Sequence, residues 1–397
     1  SYATGNVTGG NYAGGLVGQA DKTSTNSYAT GNITGTGEFT GGLTGWGSYI
    51  TGSYATGSVT GAGQYTGGLV GNASQTITNS YATGSVTSTG EGTGGLAGWA
   101  SSIISSYATG NVTGTSYTGG LAGQFGANIE NCYATRSVTG TSKTGGLAGA
   151  ASGAITNSYA TGNIIGTSTI GGLAGTVSQT LTNSYATGNV TGQGYNVGGL
   201  AGYTNSSVEN CYATGNVIGG DGEGANTGGL IGHAKGDVID CFSTGNVTGY
   251  GTYTGGLLGK LNKTSGTAEL DYVFSSGKVT GDSAAGTLIG GIVNTTDESS
   301  FATINITNTT TRLGENIIGG TFKNVDGTYI EIEYDMSSWL ENIEAVKLDT
   351  TLQVGINSGS DSQISVDVGL NINLAVSNLA SDSAYTSITN FLNQLSQ

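Results

Sequence analysis

The sequence predicts a mainly-β chain. A right-handed parallel β-solenoid of about eleven coils, three short strands to the coil, is expected over residues 1–295, and a small α+β domain over 296–397. Three observations carry this expectation. An aromatic residue returns at Tyr2, Tyr28, Tyr54, Tyr81, Tyr107, Tyr133, Tyr159, Tyr185 and Tyr212, then as Phe242 and Phe274. Its steps are 26 or 27 residues and lengthen to 30 and 32 at the end. A Gly-Gly-Leu-x-Gly run recurs in the same period. Gly makes up 76 of 397 residues, Pro is absent and only 9% are charged, while Tyr, Val, Ile and Thr recur in register. That is an ordered β composition and not a disordered one. Collagen would need Gly at every third position and abundant Pro.

Within one unit the first strand is Tyr-Ala-Thr-Gly-Asn-Val-Thr. Its aliphatic position is Val7, Ile33, Val59, Val86, Val112, Val138, Ile164, Val190, Val217 and Val247. The second strand is centred on Gly-Gly-Leu-x-Gly, with Leu16, Leu43, Leu69, Leu96, Leu121, Leu147, Leu173, Leu200, Leu230 and Leu257. The third carries Ile50, Ile77, Ile103, Ile129, Ile155, Leu181, Val208 and Val238, four residues before the aromatic. Stacked coils would turn these sets into three inward ladders and one continuous core. A helical repeat is excluded by the Gly content and the missing 3.6-residue spacing.

The glycines suit corners that need positive φ or a close backbone approach, although Arg136 stands in one such slot. Asn26, Asn79, Asn131, Asn157, Asn183 and Asn210 read as a turn ladder, since Asn tolerates left-handed backbone. Alternation from the inward Val puts Ser/Cys and Ala inside and Tyr outside, and a bend at the Gly would reverse this; the sequence leaves both open.

The slot after Gly-Leu-x-Gly varies most: Gln19, Trp46, Asn72, Trp99, Gln124, Ala150, Thr176, Tyr203, His233, Lys260. A variable slot in a repeat faces solvent. Trp46, Trp99 and Tyr203 there, with Asp221 and Glu223 in the long corner Gly219–Thr227, form the candidate contact surface. Cys132, Cys211 and Cys241 each occupy the Ser slot before the aromatic and read as small buried residues. Stacking would bring the Cα atoms of Cys211 and Cys241 to about 4.8 Å, but in-register parallel neighbours rarely have disulfide geometry.

The repeat resembles the GLUG motif, named for Gly-Leu-x-Gly, of large bacterial surface and secreted proteins. The resemblance covers residues 1–290 and ends in a decayed copy, Ala285-Gly286-Thr287-Leu288-Ile289-Gly290. It implies a spacer or adhesive stalk at the cell surface, without catalytic residues. The last hundred residues differ: they hold thirteen of the 25 acidic residues, strand patterns at 328–334, 351–356 and 363–368, and an apolar helical face of Ala384, Ile388, Phe391, Leu392 and Leu395. Leu352-Gln353-Val354-Gly355-Ile356-Asn357, with Ala380 to Leu392, resembles the β element and core-helix approach of bacterial flagellins. That resemblance implies an outer, variable region of a filament subunit which self-assembles through parts outside this segment. Ser1 opens inside a repeat, so the chain is expected to be part of a longer one.

No P-loop, CxxC, HExxH or helix-opening GxGxxG occurs. Acidic residues in the repeats are mostly isolated, and the single His233 has no sequence partner. The expectation is a non-enzyme with no cofactor and no metal. With net charge −15 and scattered Lys and Arg, no basic patch tracks phosphates, and with no run of 18 apolar residues no membrane span is expected. A surface glycan or protein is the expected ligand class for an adhesin stalk, and a regular Thr/Asn array would suit ice.

Overall fold

The computed structural model describes residues 1–263, 266–282 and 284–294, and beyond them the strand segments 302–307, 310–311, 331–335 and 350–353. They form a parallel β-solenoid of about ten turns with three walls and, among the described residues, no helix. The expected helix after residue 381 lies outside the described residues, as does most of the expected α+β domain. Of its strands, Glu331–Asp335 and Thr350–Gln353 are described and pair antiparallel. Ala302–Thr307 adds to the third wall and Thr310–Thr311 to the first.

Strand residues of a coil sit over their counterparts one period on, with register shifts at Ala73/Thr76 and within the long segment at Ile218/Asp221 and Gly222/Asn226. Tyr2 pairs Tyr28, Val59 pairs Val86 and Ile103 pairs Ile129, all parallel. The first wall is the two-residue Tyr-Ala strand. The second holds two segments, Val-Thr-Gly and the Thr-Gly that precedes Gly-Leu; the third holds the x-Gly-x-x segment after Leu and the Ile-Thr segment. Gly-Gly-Leu is therefore not a strand centre. It lies at the bend between the second and third walls, and Leu points inward from that bend. Three strands to the coil become three walls built from five segments.

The core follows from side-chain alternation. Ala82, Leu96 and Ile103 have no exposed surface and join one continuous cluster; Val112, Val138, Ile164 and Val190 form a second. Each buried aliphatic is worth about 2 kcal/mol. The bend at the Gly does not reverse the first wall: Ala is buried, Ser and Cys are buried, and Tyr faces out.

Each corner solves the same problem: backbone polar groups that leave a strand still need partners. Between the third and first walls the chain turns at Asn26, Asn79, Asn131, Asn157, Asn183 and Asn210, all with φ near +50°, as the turn ladder requires. The next residue is the buried Ser or Cys. Ser53 N–H donates to Ser80 Oγ (3.1 Å), and that Oγ donates to Thr78 O (2.8 Å). Cys132 takes the same role, with its Sγ accepting from Ser106 N–H at 3.5 Å and donating to Glu130 O at 3.1 Å. Between the first and second walls a second Asn column acts: the N–H groups of Asn189, Asn216 and Asn246 each donate to the Oδ1 of the Asn one coil before, at 2.9–3.0 Å.

The third corner uses glycine. Of the two needs foreseen for the repeat glycines, close approach is the one met; positive φ falls mostly on other residues. A Cβ on Gly120 would stand 2.0 Å from Gly146 O and 2.9 Å from Ala134 Cβ. Arg136 fits its glycine slot at the cost of a looser ladder. Thr135 N–H reaches Ala108 O at 3.4 Å, against 3.1 Å for Thr161 N–H to Ala134 O one coil on.

The three thiols are free and buried. Burial pushes the Cys132 thiol up to about 12 and that of Cys241 well above its ordinary range.

Two stability outcomes follow. Gly120→Ala should cost about 3 kcal/mol, because backbone of the next coil must move, whereas Gly10→Ala, where an added methyl meets nothing within 4 Å, should change stability by less than about 0.5 kcal/mol. Denaturant titration of the two variants separates them. Thr144 is fully buried with its hydroxyl unpartnered, one coil before Ile170 in the same column. Thr144→Val should therefore stabilise by about 1 kcal/mol, read by the same titration.

Candidate functional site

The outward faces differ by wall. On the first, the tyrosine rings stack one per coil with centroids 4.7–5.2 Å apart and planes within 10°. Phe242 continues the stack over Tyr212 at 4.8 Å. From Tyr28 to Tyr212 each ring's faces are taken by its neighbours, so this stretch offers ring edges and hydroxyls, and the free face of the stack is at its end on Tyr2. Desolvation and the neighbouring phenols push Tyr133, Tyr185 and Tyr212 above the ordinary tyrosine range.

The second wall carries an exposed column of Thr8, Thr34, Thr60, Thr87, Thr113 and Thr139 in register. Ile165 and Ile218 then interrupt it. The flanking Asn row changes to Ser at Ser58, Ser85 and Ser137. The hydroxyl array is thus regular over six coils and broken beyond.

The third wall carries the variable slot as one straight column, as expected. Gln19 pairs Trp46, Trp46 pairs Asn72, Asn72 pairs Trp99, and Trp99 pairs Gln124. Further along, Thr176 pairs Tyr203, Tyr203 pairs His233 and His233 pairs Lys260. Trp46 and Trp99 are half-buried and two coils apart, a separation of about 10 Å. Asp221 and Glu223 are elsewhere. They sit on the long segment Val217–Gly228, which extends the second wall and pairs with Val247–Gly255. That segment turns at Gly222 and Gly224, with φ of 119° and 82°. The five candidate contact residues therefore divide between two faces.

At the C-terminal end of the third-wall column, Tyr203 and His233 meet edge to face with ring centroids 5.2 Å apart. Lys235 Nζ lies 5.5 Å from the Tyr203 ring centre, and Tyr203 donates its hydroxyl to Asn205 Oδ1 (3.2 Å). His233 Nε2 is out of contact with solvent and has no hydrogen-bond partner. Burial, then Lys260 and Lys235, lower the imidazole to about 4, so it is neutral at pH 7. Burial and Lys235 lower Lys260 as well. At the adjoining corner burial, Asp271 and Glu209 raise Asp240. Among the described residues no group of three His, Cys, Asp or Glu side chains is arranged to hold a metal ion.

Sequence reading missed one feature. Tyr12, Phe39 and Tyr65 stack at 5.3 and 5.9 Å on the corner before Gly-Gly-Leu, all with φ between 53° and 59°. Gly92 interrupts the column in the next coil, and Tyr117 and Lys143 resume it, the Lys143 ammonium 4.6 Å from the Tyr117 ring centre. Counting back from the Leu would have found it, since each of these residues lies four before the repeat Leu. Counting forward from the Tyr hides it, because the intervening corner varies in length.

A family model described as the GLUG motif matches residues 62–87, 114–139, 193–218 and 223–248. The chain carries GLUG motif repeats at these four places. Each match is one coil long and contains one Gly-Gly-Leu bend, and the gap between the last two falls on residues 219–222, inside the long segment. No curated protein and no solved structure matches the chain. GLUG repeats wound into a solenoid fit a structural or surface module.

The imidazole sets a pH dependence. Its folded value of about 4 lies below its ordinary 6.5, so the unfolded chain binds the proton first as pH falls. This penalty is absent above pH 6.5 and grows as pH falls toward 4, reaching on the order of 3 kcal/mol. Denaturant titrations at pH 7 and pH 4 should show His233→Gln losing less stability than the parent chain by about that amount.

Proposed function

We propose that this chain is a non-enzymatic structural module of a bacterial surface protein: a rigid spacer that holds its two ends a fixed distance apart. The observation that carries this reading is the unbroken register. From Tyr2 to Phe274 the first-wall ladder runs through eleven strands without a break, and the interior beneath it is filled by aliphatic side chains. Much of the polar corner ladders is occupied in hydrogen bonding to backbone, as by Asn163, Asn189 and Asn216 in successive coils, which gives these residues a structural role. The resemblance of Leu352 to Asn357 to flagellin supports a filament subunit as the carrier, with the solenoid as its exposed outer region and assembly through parts outside this segment. Extracellular placement goes with the same reading.

A second reading, an adhesive stalk, is favoured by the third-wall column. Trp46 and Trp99 lie in one line on an outward face, where a glycan or protein ligand would find two aromatic anchors.

Coil deletion tests the spacer. Removing residues 107–132, one whole coil, should leave the protein folded and shorten it by about 5 Å, measured by small-angle scattering as the maximum dimension. Loss of folding, or an unchanged length, contradicts a modular rod. A glycan and cell-surface binding screen of the parent and of a Trp46→Ala/Trp99→Ala variant tests the stalk. Binding that falls about tenfold in the variant supports it, and the absence of any binding by the parent removes it.

A further inference from the structure

We propose that the third-wall column through Trp46, Asn72 and Trp99 binds a neutral, linear β-1,4-linked hexopyranose chain, a glucan or an N-acetylglucosaminan, laid parallel to the solenoid axis. This names the ligand class of the adhesive-stalk reading and rests on that reading; it is independent of the spacer.

The first argument is the shape of the wall. In the coils of Asn72 and Trp99 the third wall is one unbroken strand, Val70–Thr78 and Ala97–Ile104. In the coils on either side it is broken in two, as Thr44–Gly47 with Ile50–Thr51 and as Ala122–Phe125 with Asn128–Glu130. An unbroken strand sets its outward side chains on one level face, and the register shift at Ala73/Thr76 lies to one side of the column. The Trp99 ring reaches the next coil. A methyl added at Gly126 would lie 3.5 Å from its Cζ2, at the place where the two preceding coils carry Ser74 and Ser101. The indole therefore lies along the wall and is held before any ligand arrives.

The second argument is spacing. Trp46 pairs Asn72 and Asn72 pairs Trp99, which sets the indoles two coil spacings apart, about 9.6 Å. In an extended β-1,4-linked chain successive rings are turned over, so every second ring presents the same face, and the step between those rings is close to this distance. The apolar C–H face of a pyranose packs on the electron-rich face of an indole. Two such rings cover Trp46 and Trp99, and the inverted ring between them sets its hydroxyls against the Asn72 amide. An α-1,4-linked chain coils and does not keep this step.

The third argument is charge. No side chain of residues 46–51, 72–78 and 99–104 is charged, in a chain of net charge −15. The outward row beside the column is Ser48, Ser74 and Ser101, with the Ser48 and Ser74 hydroxyl oxygens 3.5 Å apart. Hydroxyl and amide groups beside two aromatic rings match a neutral polyol, and a charged ligand finds no counter-charge among them.

Calorimetric titration of the full chain at pH 7 with cellohexaose and with chitohexaose tests this. At least one should bind saturably, with affinity rising steeply from the disaccharide to the tetrasaccharide, because two sugar rings cannot reach both indoles. Maltohexaose should not bind, and 0.5 M salt should leave the affinity unchanged. Trp99→Gln/Gln124→Trp keeps both indoles and moves them three coils apart, and should weaken binding about tenfold. Trp46→Ala, which removes one indole, should do the same, and circular dichroism shows whether each variant is folded. Four results overturn the proposal: no saturation by either hexasaccharide at millimolar concentration, equal binding of maltohexaose, undiminished affinity in folded Trp99→Gln/Gln124→Trp, and loss of binding in salt. If these appear while the glycan and cell-surface screen still finds a different ligand that needs both tryptophans, the stalk reading stands and the β-1,4-linked chain is wrong. If the screen finds no ligand either, both fall.

Discussion

A coil of this solenoid must hand its backbone amides to the next coil at every residue, corners included. Straight segments do this without help, because parallel strands in register pair by geometry. Corners do not, and the repeat is largely a set of answers to that difficulty. Asn in the left-handed conformation followed by Ser or Cys closes one corner, an Asn-to-backbone column closes the second, and glycine closes the third by letting the backbones touch. The apolar core could tolerate other aliphatics of similar volume, as the exchange of Val, Ile and Leu between coils shows. The corner chemistry is less free at glycine, since the Gly pair before the repeat Leu is unchanged from Gly14-Gly15 to Gly255-Gly256, whereas the Asn turn position also accepts Gly52, Ser105, Asp240 and Tyr272.

The solenoid and its walls were legible from the sequence because the period is short and the inward residues stack on themselves. The sequence leaves the side of the tyrosines open, alternation with Val pointing outward and a bend at the Gly inward, and the structure decides for outward. The bend at Gly-Gly-Leu was legible only in part: the Gly pair suits a corner with close backbone approach, while the Leu reads as the centre of a strand. An inward Leu between small residues looks the same in a strand as in a bend, and only the neighbouring coil shows that backbone fills the space beside Gly120. Similarly, Thr at the position of Thr144 reads as a surface β-former, although it is buried beside the hydrophobic position of Ile170.

The candidate surfaces were partly legible. Variation after Gly-Leu-x-Gly correctly marks an outward column. It does not say which members of the column act together, because residues 27 to 30 positions apart become neighbours only through register. Tyr203, His233 and Lys260 illustrate this: in sequence they are three unrelated variants of one slot, and in space they are consecutive rungs. Asp221 and Glu223 illustrate the reverse, since their prominence in a long corner says nothing of the wall that corner extends.

The phenol column of the first wall has an optical consequence. Parallel rings held within 5.2 Å of one another couple their electronic transitions, so the circular dichroism of the stack depends on how its phenols are arranged. Its near-ultraviolet signature reports on rungs in contact. A coil that loses its register would divide the stack in two, and the rod would thus signal an internal break in light without any added label.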